Sequence, residues 1–150
     1  TGGVGVIYVG GNTDLEQKEL FDRVDDAVCA VRSALEEGIL PGAGLALYQE
    51  GLNLMGKNST KKIALAILGE ALQEPLKQIQ KNAGIKNKRV YNEKNVGLDV
   101  KNNKEGDLIQ LGIIDPMKVT KQALQNAVSV AVTILSTNAI VTMARSYETN

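Results

Sequence analysis

No histidine occurs anywhere in the 150 residues, and there is no tryptophan. The missing imidazole excludes His-dependent general-base catalysis and most catalytic zinc sites. The single cysteine, Cys29, cannot form an internal disulfide, so a reducing compartment is the default. Set among small and apolar helical neighbours, it reads as a small buried or half-buried hydrophobe. Without His or a second Cys there is no nucleophile–base constellation, which leaves a generic small-molecule enzyme little support. Aromatics are only 3% with one Phe, so the core must come from Ala, Val, Leu and Ile, a set suited to close helix packing. Neither sign of charge is in excess: 17 basic and 17 acidic residues balance, and the pI is about 6.2. That removes the basic surplus of a nucleic-acid binder or an anionic-membrane binder. No apolar run reaches the ~18 residues of a membrane span, and no signal-like start is visible.

What is present is a globular balance, 43% hydrophobic with 23% charged, in a 16.0 kDa chain long enough for one ordinary core. Val4, Val6, Ile7 and Val9, bracketed by glycine pairs, predict a short strand. Gly3-Val4-Gly5 is not a dinucleotide fingerprint, because Tyr8 stands where its third glycine would be. Asn12 or Thr13 should cap a helix along which Leu20, Val24, Val28, Val31 and Leu35 recur at helical spacing to about Glu37. That helix would be ~36 Å long. Asp26 falls roughly opposite the stripe, with Asp22 one turn earlier. On the residues alone this is a solvated acidic face.

Gly38 should stop that helix, and Leu45 to about Met55 forms another, broken by Gly51. Asn58 or Ser59 should start a longer helix, kinked or jointed at Pro75 and closed at Gly84. Residues 85–95 are polar and mixed, with Val90 and Tyr91 as packing contacts beyond Ile85. Residues 96–100 predict a strand and 101–106 a polar turn. Asp115 is placed as the N-cap of a helix with Pro116 in its first turn. This helix, reaching about Leu135, is apolar nearly all round after Ala127 and should be buried. Residues 138–143, NAIVTM, predict a last strand that needs a partner from this or another chain.

The most informative stretch is Arg23 to Leu47, where the acidic helix runs into the turn Pro41-Gly42-Ala43-Gly44 and a second apolar helix. Glycines at a helix start let backbone N–H groups approach an anion, and a carboxylate on the preceding helix could orient a water or a metal near it. Four segments in order, GGVGVIYVGG (2–11), DRVDDAVCAVRSALEEGILPGAGLAL (22–47), EPLKQIQKNAG (74–84) and LGIIDPMKVTKQALQNAVSVA (111–131), resemble the C-terminal part of a group I chaperonin subunit, the bacterial and mitochondrial barrel-forming type.

The resemblance implies a mainly α, multihelical, equatorial-domain-like half with a long intermediate-domain helix and a few short strands. Residues 1–36 would be the second half of the hinge-like intermediate domain and 37–150 the C-terminal half of the ATP-binding equatorial domain. Asp26 aligns with the family's catalytic carboxylate, which helps orient the attacking water. Gly42 and Ala43 align with the glycine turn beside the nucleotide, where Gly-Gly-Gly has become Gly-Ala-Gly. A positive φ at Ala43 would cost ~1 kcal/mol. Asp115 aligns with the carboxylate that accepts hydrogen bonds from the ribose hydroxyls, Asp99 and Val100 with the adenine-contacting strand, and Ile113 with an apolar wall beside the base. Lys101 stands where a small residue is usual, and the stretch between Gly84 and Val96 is shorter than the family's. The Gly-Asp-Gly-Thr-Thr phosphate loop and the Mg²⁺-holding aspartate do not occur in this sequence. The complete subunit would use ATP and Mg²⁺, while this segment carries no metal ligand of its own and is expected to bind nucleotide weakly and not hydrolyse it.

The implied partners are other subunits of a homo-oligomeric ring, a co-chaperonin and unfolded client proteins, the last two through the apical domain; nucleic acid and membrane are not among them. The implied location is the bacterial cytoplasm, or alternatively a mitochondrial or plastid matrix. Starting at Thr1 rather than Met, the chain is expected to be an internal piece of a longer polypeptide. The alternative is a stand-alone helical interaction module with the chaperonin fold and no ATPase activity.

Overall fold

Local sequence sets the first helix, α1, Asp14–Glu37. Thr13 is its N-cap and accepts the Glu16 N–H at 3.2 Å, while the Glu16 carboxylate accepts the Asn12 N–H at 2.8 Å. Two otherwise orphaned donors are thereby satisfied, a variant of the capping box. Gly38, at φ 90°, ends the helix and returns its N–H to the Ala34 carbonyl. The computed structural model describes residues 2–57, 60–85 and 90–143. After α1 come β1 (Ile39–Pro41), α2 (Leu45–Met55), α3 (Lys62–Asn82), β2 (Val96–Asp99), β3 (Lys104–Asp107), β4 (Ile114–Pro116) and α4 (Met117–Leu135).

The strands form two antiparallel pairs. β1 pairs with β4, placing Leu40 opposite Asp115, and β2 pairs with β3 across a tight turn. The core gathers Leu45 and Tyr48 of α2, Leu76 of α3, Tyr91, Leu98 of β2 and Leu108. Tyr48 and Tyr91 meet edge to face with centroids 6.3 Å apart.

Two glycines make the α2–α3 contact possible. A Cβ on Gly51 would lie 2.5 Å from the Gly69 carbonyl oxygen, and one on Gly69 would lie 2.7 Å from that of Gly51. The backbones therefore touch where they cross. Gly51 does not break α2 as its sequence position suggests; it sits inside the helix because only a residue without a Cβ fits. α3 likewise runs through Pro75 without interruption.

Other expectations are corrected. Residues 2–11 form no strand and are almost wholly exposed, since β propensity without a partner edge does not make a sheet. Residues 138–143 form no strand either. α4 is a helix over the expected span but has no buried residue; Val130, Val132 and Ile134 are more than half exposed. Of its apolar side chains Leu124 is half-buried while most others are exposed, and along the α1 stripe Leu20 and Val24 are half-buried while Val28, Val31 and Leu35 are exposed. Asp115 is not a helix cap: it pairs with Leu40 in β4, and Pro116 takes the N-cap position. The second half of the predicted 101–106 turn is strand β3. Tyr91 is buried as expected, but Val90 is not. The expected helix start at residues 58–59 lies outside the described residues.

Candidate nucleotide site

The turn after β1 and the segment entering β4 are locked together. The Gly42 N–H donates to the Ile113 carbonyl at 2.9 Å, and a Cβ on Gly42 would lie 3.2 Å from the backbone of Ile113 and Ile114. Glycine is required there by proximity. Ala43 has φ 55° and Gly44 φ 73°, so two successive residues are left-handed before α2 begins. A Cβ on Gly44 would come within 2.9 Å of the Leu76 N, so the turn is wedged between α3 and β4. Ala43 accepts the left-handed conformation, at ~1 kcal/mol, with its side chain packed against the core cluster.

Beside this turn lies a hollow of about 330 Å³, lined by Pro41, Gly44, Leu47, Asp115, Thr120 and Ala123 among others. Asp115 is half-buried there and makes no side-chain hydrogen bond or ion pair among the described residues. Loss of solvent pushes its carboxyl pKa up. An acceptor held this way is suited to a ligand hydroxyl or amide.

Asp99 is also buried, but its carboxylate is engaged locally. It accepts the Asn102 side-chain amide at 2.6 Å and the Lys101 N–H at 2.9 Å. The Asn102 side-chain amide, helped by the backbone donors, holds its pKa below the ordinary carboxylate range although burial pushes it up. Asp99 shapes the β2–β3 turn, and Val100 beside it is 38% exposed. The hairpin reaches the turn region at its base: a Cβ on Gly97 would lie 3.1 Å from Leu45, the first residue of α2. Ile113, half-buried, packs on the same core.

Asp26 stands apart. It lies on the exposed face of α1, eleven residues before Glu37 or roughly 16 Å along the axis, and lines neither this hollow nor a second of about 660 Å³ between α2, α4 and residues 91–95. What the sequence reading missed is the joint beneath it. Glu36 bonds Lys118, and Glu37 bonds Lys121, so the end of α1 is tied to the start of α4. Acids at a helix C-terminus and lysines at a helix N-terminus oppose both dipoles unless they face each other, a signal that was legible. The Lys118 hydrogen bond holds the Glu36 pKa down, and Glu36 in turn raises that of Lys118. No group of three potential metal-ligating His, Cys, Asp or Glu side chains occurs among the described residues.

A model of the TCP-1/cpn60 chaperonin family matches residues 1–145. The chain belongs to that family. Among solved structures, a group III chaperonin in the open state is similar to this chaperonin chain at 25% identity and a TM-score of 0.76. The alignment covers 89% of this chain and 30% of that one, so the chain spans under a third of that relative's length. The helical, equatorial-domain-like architecture expected from sequence is thereby established.

Proposed function

We propose that this chain supplies the hinge helix and the C-terminal half of the ATP-binding domain of a group I chaperonin subunit, in a ring that assists protein folding. The observation that carries the reading is the contact between the Gly42–Ala43 turn and residues 113–115, which brings together two segments some seventy residues apart in the sequence. In the complete subunit Asp115 would accept the ribose hydroxyls, Gly42 and Ala43 would border the phosphates, and Ile113 and Val100 would flank the base. The bound nucleotide would supply the phosphoryl group, and its phosphate cradle and Mg²⁺ ligand would come from sequence outside this chain. Asp26 would orient the attacking water after α1 swings about Gly38, whose φ of 90° suits a joint.

The test is nucleotide titration of the complete subunit and its variants. Asp115→Ala is expected to weaken ATP binding roughly 10-fold or more, the scale of a hydrogen bond to a charged acceptor. Asp26→Ala is expected to abolish turnover while sparing affinity. For the 150-residue chain alone, calorimetry is expected to show weak binding or none, and micromolar affinity would overturn this reading. Ring contacts are proposed through residues 138–143, where Val141 is 96% exposed. Val141→Pro should then lower ring mass in native mass spectrometry.

A second reading, an interaction module without ATPase activity, is favoured by the left-handed Ala43 in the nucleotide turn and by the lack of a phosphate loop in this sequence. A GDGTT-type loop encoded upstream in the same reading frame would decide against it.

A further inference from the structure

We propose that Met55 is a sulfoxidation site and that its oxidation opens the α2–α3 crossing. Met55 is the last residue of α2 and is 44% exposed, so a small oxidant reaches it. Its sulfur is nevertheless held in place: the Gln73 side-chain amide donates to Sδ at 3.1 Å and to the Gly69 carbonyl at 3.1 Å. Gln73 itself is buried. The Met55 side chain also covers Gly69, since a Cβ there would lie 2.7 Å from Met55 Cγ. The thioether therefore closes the open end of the glycine crossing. Met117 and Met143 have no comparable donor among the described residues, although both are exposed.

The oxidant is a peroxide. A sulfur lone pair attacks one peroxide oxygen, the O–O bond breaks, an S–O bond forms, and the departing oxygen leaves as water after taking up a proton. The sulfur loses two electrons and the peroxide gains them. An oxygen between Sδ and the Gln73 nitrogen needs about 2.9 Å from that nitrogen on its own account, which the present 3.1 Å separation does not provide. The Gly51 and Gly69 backbones are already in contact and cannot draw closer to make room. Either the Met55 side chain turns outward, leaving Gln73 without its sulfur partner and Gly69 uncovered, or the two helices separate at the crossing. This inference does not depend on the nucleotide reading.

The experiment uses the 150-residue chain with Cys29→Ser, Met117→Leu and Met143→Leu, because the exposed Cys29 thiol would also react with peroxide, so that Met55 is the only sulfur left to oxidise. Hydrogen peroxide is expected to add one oxygen by intact mass and to lower the melting midpoint by roughly 5 °C. Methionine sulfoxide reductases should restore the midpoint. Wild-type chain compared with Met55→Leu, with peptide mapping, gives the same readout should the triple variant fold poorly; the Met55→Leu midpoint should be insensitive to peroxide. The proposal is overturned if Met55 stays reduced where a free methionine peptide is fully converted. It is equally overturned if Met55 is oxidised and the midpoint does not move.

Discussion

The α2–α3 pair and the α1–α4 pair are built on opposite terms. The first closes backbone on backbone at two glycines and surrounds itself with buried Leu45, Tyr48, Leu72 and Leu76. The second has no buried residue at all and is held by two ion pairs and the short β1–β4 ladder. Helical periodicity is equally clear in both, so an apolar stripe reports that a helix forms and says nothing about what covers it. Stability should be concentrated in the first pair, and motion in the second.

The largest effect expected from breaking this contrast is at the crossing. Gly69→Ala places a methyl against the Gly51 carbonyl and should cost about 3 kcal/mol by overpacking, a fall of roughly 6–12 °C in melting midpoint. A methyl-scale change on the other pair, Val132→Ala, should stay within about 0.5 kcal/mol because the side chain is 58% exposed. Equal losses for the two variants would erase the distinction. Hydrogen exchange sharpens it next: amides in the middle of α2 and α3 should exchange at least ~100-fold more slowly than those of α1 and α4.

A smaller effect belongs to Asp115. Its pKa is raised in the fold, so the native state holds that proton more tightly than the unfolded chain does. Stability from this group is therefore lost as pH rises from the ordinary carboxylate range to the raised value, and stays lost above it. Asp115→Asn should raise the melting midpoint at neutral pH by roughly 1–2 °C, with no gain in acid. On the proposed reading the same change should weaken nucleotide binding in the complete subunit. Thermal melts across pH check the first part.

The slightest effect is expected at the joint. The contribution of Glu36 is present above the ordinary carboxylate range and lost as pH falls through its depressed value. That of Lys118 is present below the ordinary lysine range and lost as pH rises through its raised value. The tie thus holds across neutral pH and should yield to salt. Glu36→Gln with Glu37→Gln should leave the melting midpoint nearly unchanged while widening the range of α1 orientations, which two spin labels on α1 and α4 would register as a broader distance distribution.

Much of this was legible from residues alone. The Thr13 cap, the Gly38 stop, the helical spans of α1, α2 and α4 and the special turn at 41–44 all follow from short-range chemistry. What escaped depended on distant partners. Residues 4–9 and 138–143 have strand composition but no edge to pair with among the described residues, whereas the three-residue strands β1 and β4 have little composition signal and pair because the chain brings them together. Gly51 looks like a helix breaker until its neighbour proves to be Gly69. In the candidate site, Asp115, Gly42 and Ile113 are brought together. Asp99 proves to be engaged by its own turn, which Asn102 three residues on could have suggested. The place of Asp26 relative to the rest depends on a joint that no local pattern describes.

The β1–β4 ladder also dictates when this molecule can become itself. Ile39 meets Pro116, so the ring of polypeptide that must close is more than half the sequence, and distant closures of this kind are slow. On a ribosome, α2 and α3 can pack as soon as they emerge, while the bend at Gly42 waits unsupported until residues 113–116 arrive. The bend is therefore completed after the core, and a nascent chain stopped before Ile113 would hold the cluster from Leu45 to Leu108 without the strand that supports the bend.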